Sequence, residues 1–250
     1  MGVEPIPDEP AALVETEAKR LLAIADYHAG IETVLRSDGV EIDSRGQSRR
    51  RRLLDLVTQH TPDRLLILGD MVHAIGEPWE AEREELELLF EQLSVPVTLV
   101  RGNHDSALES VISELDCEVT LTEASGTRIG DVGFVHGHTW PSVEVLTAPV
   151  VCMGHEHPVV RLEDSVGGAR IERVWLRGRM DETVFLERDR YEGIDVSGHL
   201  VVFPAFNDLS GGTWVNVDGQ EFLSPFLPAS LPDGEAYLLD GTRLGPFRRV

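Results

Sequence analysis

Lysine is nearly missing from this chain. Lys19 is the only one, and every other basic residue is arginine. Forty-four acidic residues face twenty-two basic ones, so the formal charge is −22. A surplus of that sign argues against a protein built to coat nucleic acid, because phosphate contacts come from basic patches. It also fits adaptation of the whole surface to high salt, where fields are screened and net charge says little about the ligand. Cysteine is scarce as well. Cys117 and Cys152 supply no disulfide framework, and Cys152, inside an apolar run, reads as a small core residue. No apolar run approaches membrane-spanning length. Met1 to Pro10 is acidic and proline-rich, unlike a signal peptide, and position six is Ile6 rather than the serine or threonine that accompanies myristoylation of Gly2. Low-complexity linkers and fixed-period repeats are missing too. The expectation is one α/β domain over residues 1–250, cytoplasmic and without membrane attachment, with residues 1–18 a mobile arm or edge element.

Strand and helix patterns alternate in the first half. Residues 21–25, 64–69 and 96–100 are short apolar runs that read as buried strands. Between them, residues 43–60 read as a helix with Leu53, Leu54 and Val57 on one face, ended by Thr61-Pro62. Residues 80–93 read as an amphipathic helix, with Leu86, Leu89, Phe90 and Leu93 on one face and glutamates on the other. A shorter helix is expected over 106–115. The second half turns to short strands: 119–121, 128–129, 132–135, 183–187, 199–203, 213–217 and 236–240, with a hairpin of 159–163 and 169–176 around Ser165–Gly168. This pattern predicts an α/β fold of two packed mixed β-sheets flanked by helices, a four-layer α/β/β/α sandwich. Arg49–Arg52 reads as a solvated helix face or as a phosphate-binding patch.

Five apolar stretches each end in metal-competent side chains. Asp26-Tyr27-His28 follows Leu21–Ala25, and Gly69-Asp70 follows Leu65–Leu68. Arg101-Gly102-Asn103-His104-Asp105 follows Val97–Val100. His136-Gly137-His138 follows Val132–Val135, and Gly154-His155-Glu156-His157 follows Pro149–Met153. In extended chain Asp26 and His28, two residues apart, point to one side and can share a cation. Asp70 offers two oxygens and suits bridging. Nitrogen and oxygen ligands without thiolate fit Mn, Fe, Zn or Ni better than Mg, Ca or an iron–sulfur cluster. Seven candidate ligands exceed the four of a structural zinc and suit two metals sharing a carboxylate.

In this order the five blocks, spanning residues 21–157, resemble the calcineurin-like metallophosphoesterases. Within that superfamily His136-Gly137-His138-Thr139-Trp140-Pro141 and Pro204-Ala205-Phe206-Asn207 resemble the small archaeal and bacterial phosphoesterases related to the SbcD nuclease or associated with DNA ligase. The resemblance implies one cation on Asp26, His28, Asp70 and His157, and a second on Asp70, Asn103, His136 and His155. It implies two divalent ions, with manganese the first choice, and a hydroxide bridging them. His104 would protonate the leaving oxygen, and Asp105 would orient that imidazole or raise its pKa.

The expected activity is phosphoester hydrolysis, with a phosphodiester favoured. Nucleic acid and a DNA-repair partner stay open, as does a nuclease subunit serving a helicase or ligase. A non-catalytic scaffold of the same fold is the third reading; the full set of ligands and His104 speak against it. His138 competes with His136 as a ligand, or contacts substrate. His73 reads as a second-layer group or a loop histidine, and His60 and His199 as ordinary. Glu156 is expected to point away from the metals. Arg101, Arg177 and Asn207 remain candidates for substrate contact.

Overall fold

A computed structural model describes residues 2–115, 117–164 and 166–250. The first sheet runs in the order β1 (Gly2–Pro5), β2 (Ala11–Glu15), β3 (Arg20–Ile24), β4 (Arg64–Ile67), β5 (Val97–Val100), β6 (Val119–Thr122). β3 to β6 are parallel, and the β1–β2 hairpin adds an antiparallel edge. The N-terminal segment is thus an edge element. β6 belongs to this sheet and not to the strand-rich second half in which its sequence lies.

The second sheet contains β7 (Thr127–Ile129), β8 (Val132–Val135), β9 (Val150–Met153), β10 (Val159–Glu163), β11 (Ala169–Arg179), β12 (His199–Val202), β13 (Glu235–Leu238) and β14 (Arg243–Pro246). Its order is β14-β13-β11-β12-β9-β8-β7, with β10 paired to the first half of β11. β8, β9 and β12 are parallel to one another. The fold is the expected α/β arrangement of two mixed sheets.

Alternation along the strands decides which layer each residue joins. Leu22, Ile24, Leu65, Ile67, Val97 and Leu99 face the helix side. Leu21, Ala23, Leu66, Leu68 and Val100 meet Phe134, Cys152, Trp175, Val201 and Phe203 of the second sheet. Strands covered on both faces must be apolar at every position, which explains the unbroken runs in the sequence. On the helix side lie α1 (Ile31–Ser37), α2 (Gly46–His60), α3 (Glu80–Phe90) and α4 (Leu108–Ile112). α2 buries Leu53, Leu56 and Val57 and stops at Thr61, whose left-handed backbone (φ 43°) closes onto Val57 O just before Pro62.

The outer layer of the second sheet differs from expectation. Among the described residues it holds two single-turn helices, α5 (Val143–Leu146) and α6 (Thr183–Leu186), a 3₁₀ turn at Asp189–Tyr191 and irregular chain, with Tyr191, Phe226 and Leu231 buried against the β-strands. Residues 183–187 were expected as a strand on β propensity. They wind instead into α6, because Asp181 Oδ1 accepts from Thr183 N (2.8 Å) and starts a turn. Residues 213–217 make a single bridge, Val159 to Trp214, and no strand. The 106–115 helix begins as a 3₁₀ turn, Asp105–Ala107, and shortens to α4. Of the expected Ser165–Gly168 turn, Ser165 lies outside the described residues. Among the described residues no helix is long and apolar enough to cross a membrane.

Candidate metal centre

All five polar blocks leave the carboxyl ends of parallel strands: β3, β4 and β5 in one sheet, β8 and β9 in the other. Strands aligned in one direction deliver their following loops to one edge, where ligands collect. Close approach of these loops requires glycine at two points. A Cβ on Gly102 would lie 2.2 Å from Asp70 Oδ1, and one on Gly69 would lie 2.4 Å from His136 Nδ1. The backbone is bent to the same end. Among the described residues seven non-glycine residues have left-handed φ, and five of them are Asp26, His28, Asp70, His155 and His157. Such conformations cost free energy and concentrate where function demands them.

The imidazoles are fixed by their outer nitrogens. His136 Nδ1 lies 2.7 Å from Leu68 O, and His157 Nδ1 lies 2.8 Å from Gly211 O, so each Nδ1–H donates to a carbonyl. Their Nε2 lone pairs therefore turn inward. His157 Nε2 lies 3.2 Å from Asp26 Oδ1 and 3.4 Å from His28 Nε2. His136 Nε2 lies 3.1 Å from Asn103 Oδ1 and 3.4 Å from Asp70 Oδ2. Among the described residues three groups of ligand atoms result, each within 4.8 Å: Asp26, His28 and His157; Asp70, His136 and His155; and, at the mouth, His28, His73 and His104. Asp70 Oδ2 also stands 3.9 Å from His28 Nε2, between the first two groups. Inward-facing imidazole nitrogens beside carboxylates form a donor set that fits divalent cations, which would take the place of the protons those nitrogens otherwise hold. These residues could hold a metal ion.

The electrostatics follow from burial and from these neighbours. Burial, then the nearby His157, pushes His28 well below the ordinary imidazole range. Burial, then His136, lowers His155 to about 3, and the same pair of causes lowers His138 to about 4. For His136, burial is outweighed by the Asp70 and Asp26 carboxylates, which raise it to about 9. Asp70 is itself held far below the usual carboxylate range, the His136 charge overcoming its burial.

His104 sits at the mouth. Its Nδ1 lies 2.5 Å from His73 O, so Nδ1–H donates to that carbonyl and Nε2 faces the site, 3.8 Å from Asp70 Oδ2. Asp105 does not orient this ring, contrary to expectation. Its Oδ1 accepts from Met71 N and its Oδ2 from Gly102 N, both at 2.9 Å, so the buried carboxylate ties the Asp70 loop to the Asn103 loop. Burial, followed by the Asp70 charge, raises it to about 6.

Other sequence candidates divide. His73 joins the site: its Nδ1 lies 3.2 Å from His28 Nδ1, and its ring stacks on His104 at 5.4 Å. His138 lies 5.3 Å from the His136 ring and 6.0 Å from the His155 ring, with a buried Nδ1 that has no hydrogen-bond partner among the described residues. Asn207 is buried and donates through Nδ2 to Tyr27 O and His28 O, both at 3.0 Å, holding the first ligand loop. Glu156 points away, accepting from Ser224 N (2.6 Å) and Thr213 Oγ1 (3.0 Å). Arg101 pairs with Glu109, and Arg177 donates to Val3 O, both away from the ligands. His60 ends α2 and His199 begins β12.

Sequence reading missed the layer behind the ligands. Glu82 and Glu85 of α3 are buried, although glutamates were assigned to the wet face of that helix. Glu82 accepts from His73 N and Ala74 N, and Glu85 from Gly30 N. Arg49, one of the expected arginine face, is buried and joins Glu85 (2.7 Å) to Glu32 (3.1 Å). A signal was present: Glu82 and Glu85 fall on the same helical stripe as Leu86 and Leu89.

Comparison with known proteins adds a family. The sequence profile described as Calcineurin-like phosphoesterase matches residues 19–203. No curated protein matches the chain. Among solved structures, the nuclease MPE of Pseudomonas putida is 21% identical, over 97% of this chain and 100% of that one, with a TM-score of 0.55. Yfce, a phosphoesterase from E. coli, is 21% identical over 58% of this chain and 74% of its own, with a TM-score of 0.34.

Proposed function

We propose, from the premise that this chain belongs to the calcineurin-like phosphoesterase family, that it hydrolyses phosphodiesters at a pair of divalent cations, manganese first among them. As a family member it is a metal-dependent hydrolase. The single observation that carries the finer reading is the convergence of Asp26, His28 and His157 on one side of Asp70 and of His136 and His155 on the other. Asn103 completes the second group from the mouth.

When bound, two cations neutralise phosphate charge and acidify water toward hydroxide. The rest falls to the chain. The carbonyls of Leu68 and Gly211 hold His136 and His157 in the ligating tautomer. The carbonyl of His73 holds His104 with Nε2 facing the site, where in the protonated form it donates to the leaving oxygen. The Asp105 carboxylate fixes the separation of the two loops that carry Asp70 and His104.

The Pseudomonas putida protein of similar fold is a nuclease, so nucleic acid is the first phosphodiester to try. A metal-reconstituted panel tests the reading: bis(p-nitrophenyl) phosphate, p-nitrophenyl phosphate, cyclic nucleotides, and single- and double-stranded DNA. Diester hydrolysis that is lost with a chelator and restored by manganese is the expected result. Metal-loaded protein inert toward every ester would reject it and leave the scaffold.

A further inference from the structure

On the strand paired with the segment that follows His157 lies an arginine that makes no ion pair among the described residues. Arg173 is half-buried on β11, opposite Val159 of β10, two residues past His157. Its Nη1 donates to Ala205 O at 2.9 Å, and among the described residues no carboxylate forms an ion pair with it. Arg52 of α2 lies 5.4 Å from the ring of the next residue, Phe206. Arg45 holds Asp208 at 2.7 Å. Three guanidinium groups therefore flank the stretch 205–208. That stretch is bound to the first ligand loop, with Phe206 N on Ala25 O (2.8 Å) and Asn207 N on Asp26 O (3.2 Å).

The carboxylates nearby are used elsewhere. Glu9 pairs with Arg52, Asp208 with Arg45, and Glu172 with Arg170. Burial and then the Arg52 charge push Arg173 below the usual guanidinium range, only partly offset by Asp208, Glu9 and Glu172. Leaving a half-buried cation beside a like charge is costly, and a chain with twice as many acids as bases has ample means to avoid it. An anion from outside would remove the cost. The guanidinium fork matches two phosphate oxygens at once.

We infer that Arg173, with Arg52, binds a phosphate next to the one being hydrolysed, so that the substrate is a phosphodiester chain carrying at least two consecutive phosphates. This rests on the phosphodiesterase reading above and narrows its substrate. Such a chain is either a short nucleotide or a nucleic-acid strand, and the test separates them.

The metal-loaded full chain is assayed on bis(p-nitrophenyl) phosphate, which has one phosphate, on a 5′-phosphorylated thymidine dinucleotide, and on an oligothymidylate. Arg173→Met should lower kcat/KM on the multi-phosphate substrates at least ten-fold more than on bis(p-nitrophenyl) phosphate, chiefly through KM. Arg173→Lys should recover part of the loss, and Arg52→Gln should act in the same direction. A loss of equal size on both nucleotides assigns the site to a single neighbouring phosphate, as in a short nucleotide; a loss distinctly larger on the oligothymidylate assigns it to a strand. Equal losses on one-phosphate and multi-phosphate esters would overturn the inference. A second measurement needs no turnover: fluorescence anisotropy of labelled oligothymidylate in chelator, titrated with KCl. Losing one single-strand phosphate contact should reduce the slope of log K against log salt by about 0.7 in Arg173→Met and leave it unchanged in Arg173→Lys. An unchanged slope in both would also overturn it. Wild type inert toward all esters would reject the phosphodiesterase reading, and the salt slope would then decide the Arg173 site by itself.

Discussion

Nε2 of His28 and Nε2 of His157 face each other across 3.4 Å. Two imidazole lone pairs at that distance repel unless a proton or a cation lies between them. Cation binding should therefore stabilise the fold by mass action. We expect chelator-treated protein to melt at lower temperature, and readdition of manganese to restore the melting point by several degrees. A melting curve unmoved by Mn, Fe, Zn and Ni would count against the centre.

Asp70 Oδ2 lies 3.4 Å from His136 Nε2 and 3.9 Å from His28 Nε2, one from each carboxylate-containing ligand group. Asp70→Asn should empty both positions, whereas Asp26→Asn should weaken mainly one. Metal analysis of the purified variants decides it. A single tightly held zinc that survives Asp70→Asn would sink the two-cation assignment.

His104 is tethered by His73 O and contributes its backbone N–H to Asp70 Oδ1 at 3.0 Å, and its side chain groups with His28 and His73 rather than with the carboxylates of Asp26 or Asp70. His104→Ala should keep metal content near wild type. As general acid its loss should cost about 10²–10⁴-fold on esters with alkoxide leaving groups and distinctly less on nitrophenyl esters, whose leaving group needs no proton. Equal losses on both, together with metal depletion, would make it a structural turn residue.

Arg49 is buried between Glu32 and Glu85, so Arg49→Met leaves two buried carboxylates unanswered. Urea unfolding near pH 7 should show a loss of about 3–5 kcal/mol. The gap should depend on pH. Burial would raise Glu32, but the hydrogen bonds and charge of Arg49 outweigh it and lower the carboxyl below its ordinary value. A depressed carboxylate contributes fully above its unfolded pKa of about 4.3 and loses that contribution as pH falls through the folded value. Wild type and variant should therefore converge in acid; a constant gap would place the stabilisation in packing rather than charge.

The charge of −22 with one lysine predicts salt sensitivity. Self-repulsion loosens a compact acidic chain in dilute buffer, so the melting temperature should rise with KCl. Screening already acts within roughly 3 Å at about 1 M, and any further rise above that concentration needs specific hydration or ion binding. Indifference to KCl would leave an ordinary acidic surface.

Much of this was written in the chain. The apolar runs before Asp26, Asp70, Asn103, His136 and His155 are dictated by strands buried on both faces, and their short, unbroken apolar character reveals them. The polar blocks that follow are legible because neither a core nor a turn calls for such side chains together. Period-two patterning failed at Thr183–Leu186, where a local turn at Asp181 outweighed β propensity, and at residues 213–217, where Glu156 pins Thr213 and the chain meets β10 only in the single Val159–Trp214 bridge. Tertiary structure alone decided the second layer. Whether Glu85 meets water or Arg49, and whether Asp105 meets His104 or the amides of Met71 and Gly102, depends on what residues tens of positions away bring alongside. A charge records no partner in its own sequence neighbourhood, because its energy is set by distance and burial in three dimensions.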